Sequence, residues 1–426
     1  MSKILSLIFP LLIFQSLSAQ DINTLINQKE VDRVERKLSS DDMEGRAAFT
    51  KGIEKSAEFI SGEFKKAGLS TWDTSKSYLQ PFTVIKLKPL NVTAELDGRP
   101  LSEKQIAVFT AQTELSISNS SGYKKVYIKQ GDIFVDKLLK YLQRDKNYLV
   151  IVDTSFARNL ERFKSFVLQQ FKSPNNAIFV LTPTDPKTYT VHYSQQIVDS
   201  KFTNNIVGVL PGRSKKNEYV IFSGHYDHLG IGAPDEKRDS VFNGANDDAS
   251  GVTAVIMLAN YFAKLNNNER TILFIAFTAE EVGGYGSQYF SKHVDPSKVM
   301  AMFNIEMIGT ESKWGMNSVY LTGYEKTDMG KILEKNLSAT QFKIYPDPYT
   351  SQHLFYRSDN ATLARNGVPA HTISTSKMNS EKYYHTPDDE IETLDLKNMT
   401  EIIKAIAISS RSIVDGKDTP SRVAPE

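Results

Sequence analysis

The sequence predicts an α/β protein: a three-layer body, helices covering both faces of a largely parallel, mixed central sheet, with an inserted α/β subdomain. Three observations carry that expectation. From Asn204 onward the short apolar runs "EYVIFSG", "TILFIAF", "VMAMFNI" and "VPAHTIS" each stand between turn signals. Helical stretches such as "GVTAVIMLANYFAKL" separate them, and strands apolar along their whole length belong to sheets covered on both sides. Between about 90 and 201 the text changes character. There "NVTAELDG" and "KKVYIKQGD" alternate like strands, "DIFVDKLLKYLQ" is helix-like, and "YLVIVDT" and "NAIFVLT" read as short buried strands.

Taken in order, the chain opens with "MSKILSLIFPLLIFQSLSAQD". Lys3, an apolar run from Ile4 to Phe14 and small residues at Ser18 and Ala19 have the layout of a secretory signal peptide over 1–19, removed near Ala19. The expected location is therefore periplasmic or secreted. The N-terminal part of the main body follows over 20–89. Its "SAEFISGEFKKAGL" puts Phe59, Ile60, Phe64 and Ala67 on one helical stripe and stops at Gly68. The inserted subdomain occupies 90–201, the catalytic part 202–416 and a short tail 417–426. The insertion holds only His192 of the seven histidines, so it is expected to shape the site rather than perform chemistry.

Composition narrows the function. The chain has 426 residues, 40% hydrophobic and 24% charged, as an ordinary globular protein does. A net charge of +1 offers no basic field for nucleic acid. After the leader no segment is apolar for long enough to span a membrane. Cysteine is absent, which excludes a thiol nucleophile, thiolate-held metal and a lipid-anchored N-terminal cysteine. Any metal must be held by His, Asp and Glu.

Those residues gather where the strands end. "YVIFSG" leads into His225, Tyr226 and Asp227, "TILFIAF" into Glu280 and Glu281, and "VMAMFNI" into Glu306. "GANDDASG" places Asp247 and Asp248 at the mouth of a helix, and "YYHTPDD" offers His385 before a proline turn. Each has an ordinary explanation alone: a helix cap for the Asp pair, a wet surface for the Glu pair, a turn for Asp388 and Asp389. Together they would be costly to assemble without positive charge to neutralise them. In parallel sheets this end of the strands is where ligands bind. Carboxylate oxygen and imidazole nitrogen suit zinc, and a site without thiolates fits catalysis better than a closed structural centre.

"GHYDHLG", "GANDDASG", "TAEEVGGYGS", "FNIEMIG" and "YYHTPDD", in that order, resemble the successive signatures of metallopeptidase family 28, the co-catalytic zinc aminopeptidases and their glutamate carboxypeptidase-like relatives. The resemblance spans about Asn204 to Ser412 and reaches more weakly into "LSSDDMEGRAAFTKGIEKSAEFISGEFKKAGL". It implies a zinc-exopeptidase-like body and two Zn2+ per chain. His225, Asp247, Glu281, Glu306 and His385 fall on the ligand positions, Asp247 as the bridge. Glu281 and His385 would complete one ion's shell, and His225 and Glu306 the other's. Asp227 matches a carboxylate that orients the His225 imidazole, and Glu280 matches the general base. Tyr384 would help polarise a substrate carbonyl. Glu306 departs from the family's common Asp by one methylene, so the geometry of that half-site must adjust.

The implied activity is that of an exported zinc-dependent exopeptidase. It would be an aminopeptidase acting on peptide substrates through a metal-bridged hydroxide. A single-zinc acyltransferase resembling glutaminyl cyclases and a non-catalytic binding protein on the same scaffold are the competing readings. The intact "NDDASG" and the retained base speak against both. His228, His293, His353 and His371 lie off the motif positions and are expected at the surface or as satisfied core residues, His228 being the nearest alternative ligand.

Overall fold

A computed structural model describes residues 22–424, apart from 74, 143–145 and 167. The expected signal peptide, 1–19, lies outside the described residues. The chain divides into two compact units, one formed by the segment up to Gln80 with Asn204–Glu426, the other by Pro81–Thr203. The second unit contains the insertion expected over 90–201. Its limits fall within the long strands Leu79–Leu96 and Tyr189–Leu210, so no break in local structure marks them in the sequence.

In the first unit we label the strands β1 (Tyr189–Leu210, from Asn204 onward), β2 (Lys215–His225), β3 (Arg270–Phe277), β4 (Val299–Ile305), β5 (Ser318–Leu321), β6 (Lys343–Pro346) and β7 (Ala370–Ser374). Their order across the sheet is β6-β5-β7-β4-β2-β3-β1. The central strands β7, β4, β2 and β3 are parallel, while β1 joins β3 and β5 joins β7 antiparallel. The unit's longer helices are α1 (Gln28–Leu38), α2 (Lys51–Lys66), α3 (Ser250–Leu265) and α4 (Leu396–Val414).

Alternate residues of each strand serve different layers, because side chains along a strand point to opposite faces. Phe222, Phe274 and Phe303 face one core with α1, α2, α3 and α4. Ile221, Ile275 and Met302 face a second core with Phe290, Leu363 and Val368. Phe222 stacks on Phe274, Phe303 and Phe262, with ring centroids 5.8, 5.0 and 5.5 Å apart. Helix α3 is buried almost throughout, which is why its sequence lacks a polar stripe.

Two glycines let α3 start close to the strand ends. A Cβ on Gly251 would lie 2.1 Å from the Ile305 carbonyl oxygen, and one on Gly224 would lie 2.9 Å from an Asp248 oxygen. That close approach sets the "NDDASG" loop beside the ends of β2 and β4.

The second unit has its own sheet, in the order Ile106–Phe109, Ala177–Leu181, Tyr148–Val152, Lys124–Ile128, with the last three strands parallel. Phe109, Phe134, Leu138, Val150 and Phe179 fill one of its cores. Among the described residues, no helix is long and apolar enough to cross a membrane.

Candidate metal centre

His225 ends β2, Glu280 and Glu281 follow β3, and Glu306 follows β4, so three parallel strands deliver their polar residues to the same edge. Three residues there hold left-handed backbone without being glycine: Ala279 (φ 58°), Met307 (φ 53°) and His385 (φ 57°). Such conformations are costly and cluster at functional sites, where the surroundings over-determine them.

His228, Asp247, Glu281 and His385 each present a donor atom, and these atoms all lie within 4.8 Å of one another. Glu281 Oε1 lies 2.8 Å from His228 Nδ1, and Glu281 Oε2 lies 3.2 Å from His385 Nε2. Asp247 turns one oxygen to each side: Oδ1 is 3.2 Å from His225 Nε2, and Oδ2 is 3.3 Å from His385 Nε2. His385 Nε2 is buried between two carboxylates, yet has no hydrogen bond of good geometry. A donor set of oxygens and imidazole nitrogens around one point fits a divalent cation.

Of the expectations for His228, the structure excludes the surface: the ring is buried with Nδ1 on Glu281, and it stands within the four-residue group, as the nearest alternative ligand would. The chain leaving β2 does not run outward, because the His228 amide donates to the Arg46 carbonyl at 3.2 Å and folds the loop back. The second imidazole in "HYDH" was the available signal. His371 does match the expectation: it is buried with Nδ1 2.8 Å from the Thr322 carbonyl oxygen and Nε2 2.8 Å from Thr327 Oγ1. Burial presses its pKa down to about 4. His293 and His353 are exposed.

Asp227 is corrected in its means. Its carboxylate was expected to orient His225, but Oδ1 lies 3.9 Å from His225 Nδ1, whereas the Asp227 backbone carbonyl accepts from Nδ1 at 3.0 Å. The carboxylate is engaged elsewhere, accepting the amides of Glu280 at 3.1 Å and Glu281 at 3.3 Å. Two successive amides facing the same way occupy both oxygens.

His225 and Glu306 are not members of the four-residue group. His225 faces it through Asp247. Glu306 is half-buried in the wall of the adjoining cavity, with Oε2 3.5 Å from Asn304 Nδ2. Glu280, Tyr320, Leu354, Arg357 and Met378 line the same cavity. Tyr384 lies there too, its ring stacked on His385 with centroids 3.8 Å apart.

Two residues taken for turn or cap elements hold the loops. Asp389 accepts the amides of Asn246 at 2.9 Å and Asp247 at 3.0 Å. Asp248 accepts those of His225, Gly251 and Met307 at 3.0 to 3.1 Å. Apart from Gly251, three residues after Asp248, the partners come from distant segments and are not visible in local sequence.

Electrostatics separate the neighbouring glutamates. Burial pushes Glu280 well above the carboxylate range, with Glu306, Asp359 and Asp227 adding to it and His225 opposing. Burial acts on Glu281 as well, but its contacts to His228 and His385 outweigh it and hold the carboxyl at about 2. Burial disfavours the Asp247 anion too, yet His225 and His385 keep it ionised. His385 is raised to about 10 by its contacts to Asp247 and Glu281.

Similarity to known proteins falls on the same segment. Residues 205–409 match Peptidase family M28. A probable leucine aminopeptidase of Trichophyton verrucosum is 28% identical over 275 residues, covering 58% of this chain and 68% of the relative. The aminopeptidase from Aneurinibacillus sp. strain AM-1 superposes with TM-score 0.54 at 16% identity, over 96% of this chain and 98% of that one. The zinc aminopeptidase of Bacillus subtilis gives TM-score 0.55 at 17% identity, over 94% and 98%. At these identities the two structures speak for the fold alone.

Proposed function

The chain belongs to peptidase family M28 through residues 205–409, and on that premise we propose that it is a zinc-dependent aminopeptidase, removing N-terminal residues from peptides. The observation that carries the reading is the convergence of His228, Asp247, Glu281 and His385 on one point beside a cavity that Glu280 also lines.

We infer two zinc ions. Asp247 turns one oxygen to His225 and the other to His385, so it would serve both ions. Glu281 and His385 would hold one ion with Asp247, and His228 stands close enough to join them. His225 and Glu306 would serve the other. Bound there, the ions supply positive charge that polarises the scissile carbonyl and makes water a nucleophile near neutral pH.

The chain's own residues supply the rest. Glu280 is half-buried at the cavity, carries no ligand duty and has a raised proton affinity, so its carboxylate takes the proton of the attacking water and delivers it to the leaving amine. Glu281 and Asp247 remain anionic and hold charge in place. Asp227 holds the backbone that carries both glutamates by accepting their amides. Tyr384, stacked on His385 at the cavity wall, orients the substrate carbonyl.

The test is a metal assay joined to turnover. Purified protein should carry close to two zinc ions and hydrolyse leucine p-nitroanilide but not its N-acetylated form. A strong chelator should abolish activity until zinc is restored. Full activity in the metal-free protein, or equal cleavage of the blocked substrate, rejects the reading.

Export is part of the same proposal. Lys3, the apolar run Ile4–Phe14 and Ala19 support a cleaved leader and a periplasmic or secreted enzyme. N-terminal sequencing of protein from the native host should begin just after Ala19, and an intact Met1 in the cytosol sinks the idea.

A further inference from the structure

Arg46 is among the largest fully buried side chains in the described protein, and it has no carboxylate partner at ion-pair distance among the described residues. Its guanidinium instead donates to four backbone carbonyls. Nε reaches Tyr226 at 3.0 Å, one terminal nitrogen reaches Leu38 at 2.7 Å and Asn243 at 2.6 Å, and the other reaches Gly244 at 2.8 Å. Tyr226 lies between His225 and Asp227, and Gly244 stands three residues before Asp247. One planar fork therefore ties the loop that carries His225 and His228 to the loop that carries Asp247. Its own carbonyl accepts the His228 amide at 3.2 Å, so both ends of the residue act on the same loop.

The backbone delivering this side chain is unusual. Glu44, Gly45 and Arg46 are consecutively left-handed, with φ of 53°, 62° and 52°. For two of the three this is a disfavoured conformation. A Cβ on Gly45 would lie 2.4 Å from the Gly230 carbonyl oxygen and 2.7 Å from that of Phe242, so the segment is pressed against the same two loops. Burying an arginine costs several kcal/mol unless its donors and charge are answered. The carbonyls answer the donors, and the nearby Asp389, Asp247 and Asp227 answer the charge. All of this comes from a segment outside residues 205–409.

We propose that Arg46 is a positioning residue for the metal centre, holding the His225–His228 loop and the Asp247 loop at the separation that lets their side chains share ions. The inference rests on the zinc reading of the site. Groups that orient ligands from behind commonly alter metal affinity or activity by about 10–100-fold when removed.

The experiment compares Arg46→Lys and Arg46→Met with Arg270→Lys in the full chain, measuring zinc affinity by competition with a chromophoric chelator, thermal unfolding, and kcat and KM separately. Arg270 is equally buried, but its guanidinium bonds reach the carbonyls of Ile413 and Asp418, away from the site. The expected result is a fall of about 10–100-fold in zinc affinity and kcat for Arg46→Met, a smaller fall for Arg46→Lys, and KM within about threefold. Arg270→Lys should unfold at lower temperature while keeping wild-type zinc affinity. Wild-type zinc affinity in folded Arg46 variants overturns the proposal, as does parallel loss of affinity in the Arg270 control. If neither Arg46 variant is recovered folded, Arg46 serves folding and the proposal fails. A wild-type protein that takes up no zinc overturns the reading of the site itself.

Discussion

Glu280 and Glu281 are adjacent in the chain and opposite in environment. Glu281 contacts two imidazoles, at 2.8 and 3.2 Å, and is held ionised at about pH 2 and above. Glu280 lies half-buried near other carboxylates, and its proton affinity is raised. Their backbone amides donate to the two oxygens of one aspartate, Asp227, which fixes the backbone from which both side chains leave. Two carboxylates whose proton affinities are pushed apart are suited to different tasks.

Glu280→Gln is therefore expected to keep its zinc and its fold while turnover falls by roughly two to four orders of magnitude. Glu281→Gln is expected to bind zinc more weakly. Metal analysis beside kcat for both variants checks this, and equal metal loss in the two would end the division of labour.

His228 is expected to matter to the metal. His228→Ala should lower zinc affinity measurably, with activity partly restored by excess zinc. Chelator competition reads this directly, and affinity equal to wild type would leave His228 a buried partner of Glu281 and nothing more.

Glu306 tests the second half-site. Glu306→Asp keeps charge and donor type, so measurable activity should survive. Glu306→Ala should lose much more, with one zinc retained and the other recovered only at high zinc concentration. Identical two-site titrations in wild type and Glu306→Ala would remove this carboxylate from the metal shell.

A buried carboxylate away from the centre predicts a pH effect on stability. Glu35 is fully buried in α1, accepts from the Thr253 hydroxyl at 2.7 Å, and is pushed by burial up to about 8, with Arg46 opposing the rise. A carboxyl whose folded pKa is raised stabilises the fold fully below its unfolded value, near 4.5, and loses that contribution as pH rises through 8. Glu35→Gln should thus match wild type near pH 5 and exceed it near pH 9 by a few kcal/mol, because each tenfold change in proton affinity is worth about 1.4 kcal/mol. Urea unfolding at both pH values decides it, and a variant less stable than wild type at pH 9 contradicts the assignment.

The order of residues alone dictated the layered α/β body, its strands and the polar groups at their ends. "TILFIAF" and "VMAMFNI" coincide with β3 and β4 to within one residue, because a strand buried on both faces must be apolar throughout and must stop where polar groups begin. Asp247, Glu281 and His385 were legible as a group for a related reason: so many charged side chains at equivalent strand ends call for a common counter-charge. How those residues are held emerged only with the folded chain. Folding turned His228 inward, gave the His225 ring to the Asp227 carbonyl, and committed the Asp227 carboxylate to two amides. It also set Asp389 and Arg46 behind the Asp247 loop from positions about 140 and 200 residues away along the chain. Periodicity reports whether a residue is buried, and burial is a local property of a strand or helix. A hydrogen bond depends on which distant backbone arrives beside it, and that is settled only when the loops close over the sheet.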